Sequence, residues 1–381
     1  MITRRDALIL GATGLIAPAF GAASHPSIVN AGQEHRDSWP MFRGDSAHTG
    51  VSHGPGPDLD RDIVIKWRFQ TEDAIASSPV IANGTVYIGG VDGTLYAIDA
   101  SSGNERWSLH VGSPITSSPA IADGIVYFPS EDRTVYAVSA ASGEERWRFK
   151  SDGWGSSPSI ADGVVYIGSM DGSLHALDMT SGKERWLFKR ANGAFSSPAV
   201  SQGVVYVGCS DHYLYAINAM TGEERWGFQT GDSVSASASV VDGIIYVGSY
   251  DNNLYAIDAE SGSERWRIET DHPVLSDSSP AVSNGIVFAG LFGLFAIDTA
   301  SGVERWRFDT ENDQSYSPVV VDDVVYTSSR WQRFYAIDAS SGEQRRMFEI
   351  GGGYIRSSPI IASGIIYISN SKGTLYAYGN P

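Results

Sequence analysis

Cysteine is nearly missing from this chain. Cys209 stands alone among 381 residues, so no intramolecular disulfide staples the fold. It aligns with Gly90, Ser169 and Ser249 of the internal repeats described below, which predicts a small buried side chain. Lysine is scarce too: only Lys66, Lys150, Lys183, Lys189 and Lys372 occur among 27 basic residues, against 44 acidic ones, for a formal net charge of −17. That balance disfavours nucleic acid, which requires clustered Lys and Arg. It suits a surface kept soluble in high salt, as in a halophile, where carboxylates hold water and long-range repulsion is screened. The eight histidines show no metal-ligand spacing, and His175 merely replaces Tyr in a repeated strand, a structural position. After the first 23 residues no stretch reaches the roughly 18 apolar residues that span a bilayer, so no transmembrane span is expected in the mature chain.

The beginning of the chain reads as an export signal. Arg4-Arg5 precedes an apolar run over residues 8–20, and Ala17, Ala19, Ala22 and Ala23 offer small-residue cleavage positions. Gly11, Gly14 and Pro18 argue against a packed core helix. The pattern is that of a twin-arginine signal over residues 1–23, which implies an exported protein, extracellular or associated with the cell surface. Residues 24–60 follow as a linker and a clasp. In the clasp, Trp39, Met41 and Phe42 lie close enough together to seek burial across the remaining domain, residues 61–381.

What the chain has in abundance is one repeated unit. Residues 77–107 contain three hairpin signals: Asn83-Gly84, Asp92-Gly93, and the polar turn Asp99-x-Ser101-Ser102-Gly103. They separate four short β-rich runs, the last carrying Trp107. Four antiparallel strands in about 40 residues match a propeller blade, which must stack on neighbours to cover its faces. Trp67, Trp107, Trp147, Trp186, Trp226, Trp266 and Trp306 recur every 39 or 40 residues, with Arg346 in the next place. The third strand recurs at Leu95, Val135, Leu174, Leu214, Leu254, Leu294, Phe334 and Leu375. The last copy supplies three strands and no fourth, whereas residues 63–69 form a surplus fourth strand ahead of the first copy. The expected fold is therefore an all-β, eight-bladed propeller whose N-terminal strand completes the last blade and leaves no open edge.

The motif Ala97-x-Asp99-x-x-x-Gly103-x-x-x-Trp107 and its copies at 137/143/147, 176/182/186, 216/222/226, 256/262/266 and 296/302/306 carry a resemblance. They are similar to the tryptophan-docking motif of pyrroloquinoline quinone (PQQ) dehydrogenases and of the PQQ-like repeat proteins, which include an outer-membrane assembly lipoprotein. The resemblance covers nearly all of the chain after residue 60. It implies that each Trp packs on the Ala and Gly of a neighbouring blade.

Differences between the copies point to a face. The turns after the first and third strands stay alike, so the face they share is structural. The other two connections vary. Ahead of the first strands stand Ala76, Thr116, Gly155, Phe195, Ser235, Asp277, Ser315 and Arg356, with Trp154, Gln314, Tyr316 and Tyr354 beside them. The turns between second and third strands run from Asp92-Gly93 to Arg330-Trp331-Gln332-Arg333. Aromatics with a few charges around a concavity suit a binding site. The candidate residues for a protein or small-molecule partner are Trp154, Phe195, Asp277, Gln314, Tyr316, Arg330, Trp331, Arg333, Tyr354 and Arg356. No catalytic or metal-ligating set is recognisable, and no cofactor is expected. Short loops favour an exported, non-enzymatic binding or assembly scaffold. The alternative is a PQQ-dependent alcohol or sugar dehydrogenase. The resemblance would then imply PQQ and Ca²⁺ at the channel mouth with Asp277 as the base, although that family's adjacent cysteine pair and long ligand loops have no counterpart here.

Overall fold

A computed structural model of the chain describes residues 38–381 apart from 191–192, 271–277, 312–314, 330 and 356. The export-signal reading falls on residues outside those described. Every regular element among the described residues is a strand, and the strands form eight sheets. Blade 1 comprises Val80–Ala82, Thr85–Gly89, Thr94–Asp99 and Glu105–His110, in that order from the inside out. Blades 2 to 7 repeat it, with inner strands Ala120–Ala122, Ser159–Ala161, Ala199–Ser201, Ser239–Val241, Ala281–Ser283 and Val319–Val321. Blade 8 has Ile360–Ala362, Ile365–Ser369 and Thr374–Gly379 from the C-terminus and Val64–Gln70 as its outer strand. The N-terminal strand therefore closes the ring, with Trp67 opposite Ala377 and Phe69 opposite Leu375.

Local chemistry explains the hairpins. Asn83 and Gly84 both take positive φ, 49° and 66°, the conformation a two-residue primed turn requires. In the third turn the Asp99 carboxylate accepts from the backbone and hydroxyls of Ser101 and Ser102, while Arg106 clamps its other oxygen at 2.7 Å. These two turns are tied in each complete blade, Ala100 N–H donating to Gly84 O at 3.0 Å and Ala140 to Gly124 at 2.8 Å.

Each Trp has two small partners, and they lie in different blades. Ala97 is the cross-strand partner of Trp107 within blade 1, whereas the glycine comes from the next blade. The expectation that both belong to a neighbour is corrected for the alanine: the two residues sit opposite each other in one ladder, where a side chain larger than methyl would push the indole off the sheet. A Cβ added at Gly103, Gly143, Gly182, Gly222, Gly262, Gly302 or Gly342 would lie 2.6 to 2.8 Å from the preceding blade's indole. Six of the seven indole N–H groups also donate to a turn carbonyl of that next blade, as Trp107 does to Ala140 at 2.9 Å.

The inner wall carries a second bonding pattern. In blade 1 the first serine of the repeated pair, Ser77, bonds to Gly89 of its own blade. The second links blades: Ser78 N–H donates to Ser118 Oγ, Ser118 to Ser157, Ser157 to Ser197, and Ser358 to Ser78 across the closure, all at 2.9 to 3.2 Å.

Residues 39–55 run round the inside of this wall. They bond in turn to Ile81 and Ile121, then through His48 to Ser159, then to Val200, Val240, Val282, Val320 and Ile361, reaching every blade. The wall makes room where the segment is bulky, with Ala120, Ser159, Ala199, Ser239 and Ala281 in place of the Val80, Val319 and Ile360 of other blades. Arg43 and His48 are thereby sealed inside the ring, 2% and 0% exposed. Burial holds the Arg43 guanidinium down to about 9 and the His48 imidazole down to about 3.

Candidate functional site

The two variable sets of connections lie side by side. The turn after the second strand donates a backbone N–H to the loop ahead of the inner strand of the same blade: Val91 to Ala74, Glu131 to Pro114, Met170 to Trp154 and Ser371 to Tyr354, at 2.8 to 3.0 Å. The loops on this face are short, so each blade offers only two or three side chains.

Blade 7 departs from the repeat at its second-to-third turn. In blades 1, 2, 4 and 5 an aspartate in the second-to-third turn accepts the hydroxyl of the tyrosine four residues later, as Asp92 does from Tyr96 at 2.8 Å and Asp251 from Tyr255 at 2.6 Å. Blade 7 places Trp331 there. Its side chain is 60% exposed and meets Tyr354 of blade 8 edge to face at 4.9 Å. Arg333, two residues on, forms an ion pair with Glu311, whose carboxylate holds the guanidinium above its usual range. Thr310, Glu311, Ser329, Trp331, Gln332, Arg333 and Glu349 line a cleft of about 360 Å³. Gln332 adopts φ 76°, a conformation that Gly93, Gly172 and Gly373 serve at the equivalent positions. Arg133, His212 and Asn252 take the same conformation in blades 2, 4 and 5, so what sets blade 7 apart from blades 1 to 5 is an aromatic in place of the turn-capping carboxylate.

The other candidates separate. Trp154 is 46% exposed on blade 3, beside the exposed Met170. Phe195 turns inward, 4% exposed, against Phe188 and Tyr215, with Arg190 stacked 4.6 Å over the Tyr215 ring and paired to Glu224. Tyr316 is buried as well. The expectation that Phe195 and Tyr316 ring an exposed mouth is corrected: both side chains are buried, and Phe195 packs against the neighbouring rings. Asp277, Gln314, Arg330 and Arg356 lie outside the described residues. Cys209 is fully buried, and burial pushes its thiol up to about 12. His175 is buried with Nδ1 2.7 Å from Glu184, its ring against Phe149.

Sequence reading missed the inner segment's chemistry. Nothing in Arg43 or His48 alone announced a channel position; the small residues opposite them on five inner strands were the available signal.

The arrangement supports binding through an aromatic pair and charged rim. Among the described residues no three His, Cys, Asp or Glu side chains converge as metal ligands. The described positions at the inner mouth, Ala76, Thr116, Gly155, Phe195, Ser235 and Ser315, supply no carboxylate or cation. The two charged members of that set, Asp277 and Arg356, lie outside the described residues.

The sequence matches the family model described as outer membrane protein assembly factor BamB over residues 64–153, 131–241 and 210–380. The chain belongs to this family. A comparison with curated protein sequences returned no match. Among solved structures, BamB from Moraxella catarrhalis is similar with a TM-score of 0.72 at 16% identity, over 84% of this chain and 100% of that one. Quinohemoprotein alcohol dehydrogenase from Comamonas testosteroni is similar with a TM-score of 0.79 at 15% identity, over 92% and 82%. The computationally designed Ika8 protein is similar with a TM-score of 0.74 at 15% identity, over 81% and 97%. At such identities the likeness concerns the fold alone, which an assembly factor, an enzyme and a design share.

Proposed function

We propose that the protein is an exported, non-enzymatic propeller that binds a protein partner through the blade 7 and 8 edge of its variable face, as an assembly or adhesion scaffold. The observation that carries this reading is Trp331, exposed and set against Tyr354 where blades 1 to 5 carry a turn-capping aspartate. An aromatic anchor beside the Arg333–Glu311 pair has the composition of a binding hot spot. Export through residues 1–23, a linker and clasp over 24–60, a propeller domain over 61–381 and an acidic surface suited to high salt complete the proposal. The unplaced candidates Asp277, Gln314, Arg330 and Arg356 belong by sequence position to the same face, together with Trp154.

The test is site-specific photocrosslinking in the native host, with the probe at position 331 or, on the structural face, at the 84% exposed Met220. One discrete adduct at 331, absent at 220 and abolished by Tyr354→Ala, supports the reading; equal adducts at both positions refute it. The dehydrogenase alternative rests on shared fold, and its check is separate: a quinone absorbance released on denaturing the natively purified protein would establish it.

A further inference from the structure

The seam between blades 7 and 8 holds a cavity where blade 8 has no third turn. In blades 1 to 4 the tyrosine of the second strand donates its hydroxyl to the third-turn carbonyl of the next blade: Tyr87 to Ala140, Tyr127 to Met179, Tyr166 to Ala219 and Tyr206 to Ala259, at 3.1 to 3.2 Å. Blade 8 has no such turn, because its third and outer strands come from opposite ends of the chain. Residues 56–60 pass the vacated place without filling it. A cavity of about 520 Å³ remains, lined by that segment, the Val321–Val324 turn, Tyr326 and Arg345.

Two features define what fits. Tyr326, 1% exposed, is the blade 7 counterpart of those tyrosines and lines the cavity, where blade 8 has no third-turn carbonyl to accept from its hydroxyl. Asp58, Asp60, Asp322 and Asp323 stand around the rim, while the one cation, Arg345, is already paired with Asp338. The four carboxylates do not converge as metal ligands. At the seams after blades 1 to 4 the third turn of the next blade supplies the carbonyl that the tyrosine hydroxyl bonds.

We propose that this cavity is a docking slot for a basic peptide turn of a partner protein. The turn's carbonyl accepts from Tyr326, and its arginine or lysine side chain lies among the four aspartates. The slot is on the face opposite Trp331, so it is a second contact surface and does not depend on the first.

The test is calorimetric titration of the full chain with acetyl-Ala-Arg-Ser-Gly-Ala-amide and with the same peptide carrying Glu for Arg, at about 0.1 M salt, where charges within about 10 Å still interact. The Arg peptide is expected to bind and the Glu peptide not to. Asp322→Asn with Asp323→Asn should weaken binding about tenfold, the combined worth of two exposed charge pairs. Tyr326→Phe should weaken it about fivefold, the weight of one hydrogen bond. Asp123→Asn with Asp162→Asn changes net charge equally at turns of filled seams and should leave affinity unaltered. Equal losses from the two Asp pairs, equal binding of both peptides, or no binding would overturn the proposal. So would spermine displacing the peptide with comparable affinity and no response to Tyr326→Phe, which would assign the slot to a simple polyamine.

Discussion

Seven seams of this ring are closed by tryptophan and one by arginine. Where Trp107 lies on Gly143 and donates to Ala140, Arg346 reaches Arg61 O at 3.2 Å and Asp62 at 3.6 Å. The exception follows from topology. An indole needs a glycine turn from the next blade to lie on, and the blade assembled from both chain ends has none. A flexible cation that can hold the passing N-terminal segment serves instead. The repeat pattern therefore records stacking, and its single break records closure.

The largest test of that contrast is deletion of residues 61–70. Losing the outer strand of blade 8 leaves the edge of Thr374–Gly379 unpaired. Calorimetry should show no cooperative melting transition, and an unchanged one would mean that closure contributes nothing. Next in size is the seam itself. Trp147, 9% exposed, is expected to cost about 3 to 5 kcal/mol as Trp147→Ala in chemical denaturation. Arg346→Ala, removing an exposed ion pair, should cost under about 1 kcal/mol. Comparable losses at both positions would erase the distinction.

Acid should reveal the sealed inner segment as a third and smaller effect. His48 is neutral in the fold because burial and the nearby Arg43 hold its pKa down to about 3. An unfolded histidine takes up a proton near pH 6.5. The unfolded chain thus binds more protons between these values, and stability present above about pH 6.5 declines as pH falls toward about 3. His48→Gln should flatten the melting temperature between about pH 6.5 and 4; an unchanged slope would remove His48 from the account. Below about pH 4 a further loss is expected as the turn carboxylates protonate. Ser101 and Arg106 hold Asp99 well below the usual range, and Arg185 with Ser181 does the same for Asp178. The smallest stability effect belongs to the variable face: Tyr354→Ala should change stability by less than about 1 kcal/mol while abolishing the crosslink formed by the probe at position 331.

Architecture was legible in the residues because a blade is specified locally. Turn dipeptides with positive φ, alternation within short strands and a Trp–Gly spacing of constant phase leave few ways to stack, and the surplus N-terminal strand left one way to close. The candidate face was legible only as a list of differences. Phe195 and Trp331 are both aromatic departures at variable connections, yet one fills a gap beside Tyr215 and the other stands in solvent. Which way a side chain turns depends on the volume left by neighbours remote in sequence, so spacing carries no sign of it. The inner segment makes the same point. That Trp39 and Met41 would be buried followed from their chemistry; that residues 39–55 visit all eight inner strands and bury Arg43 and His48 was decided by the closed ring, whose wall exists only once every blade is in place.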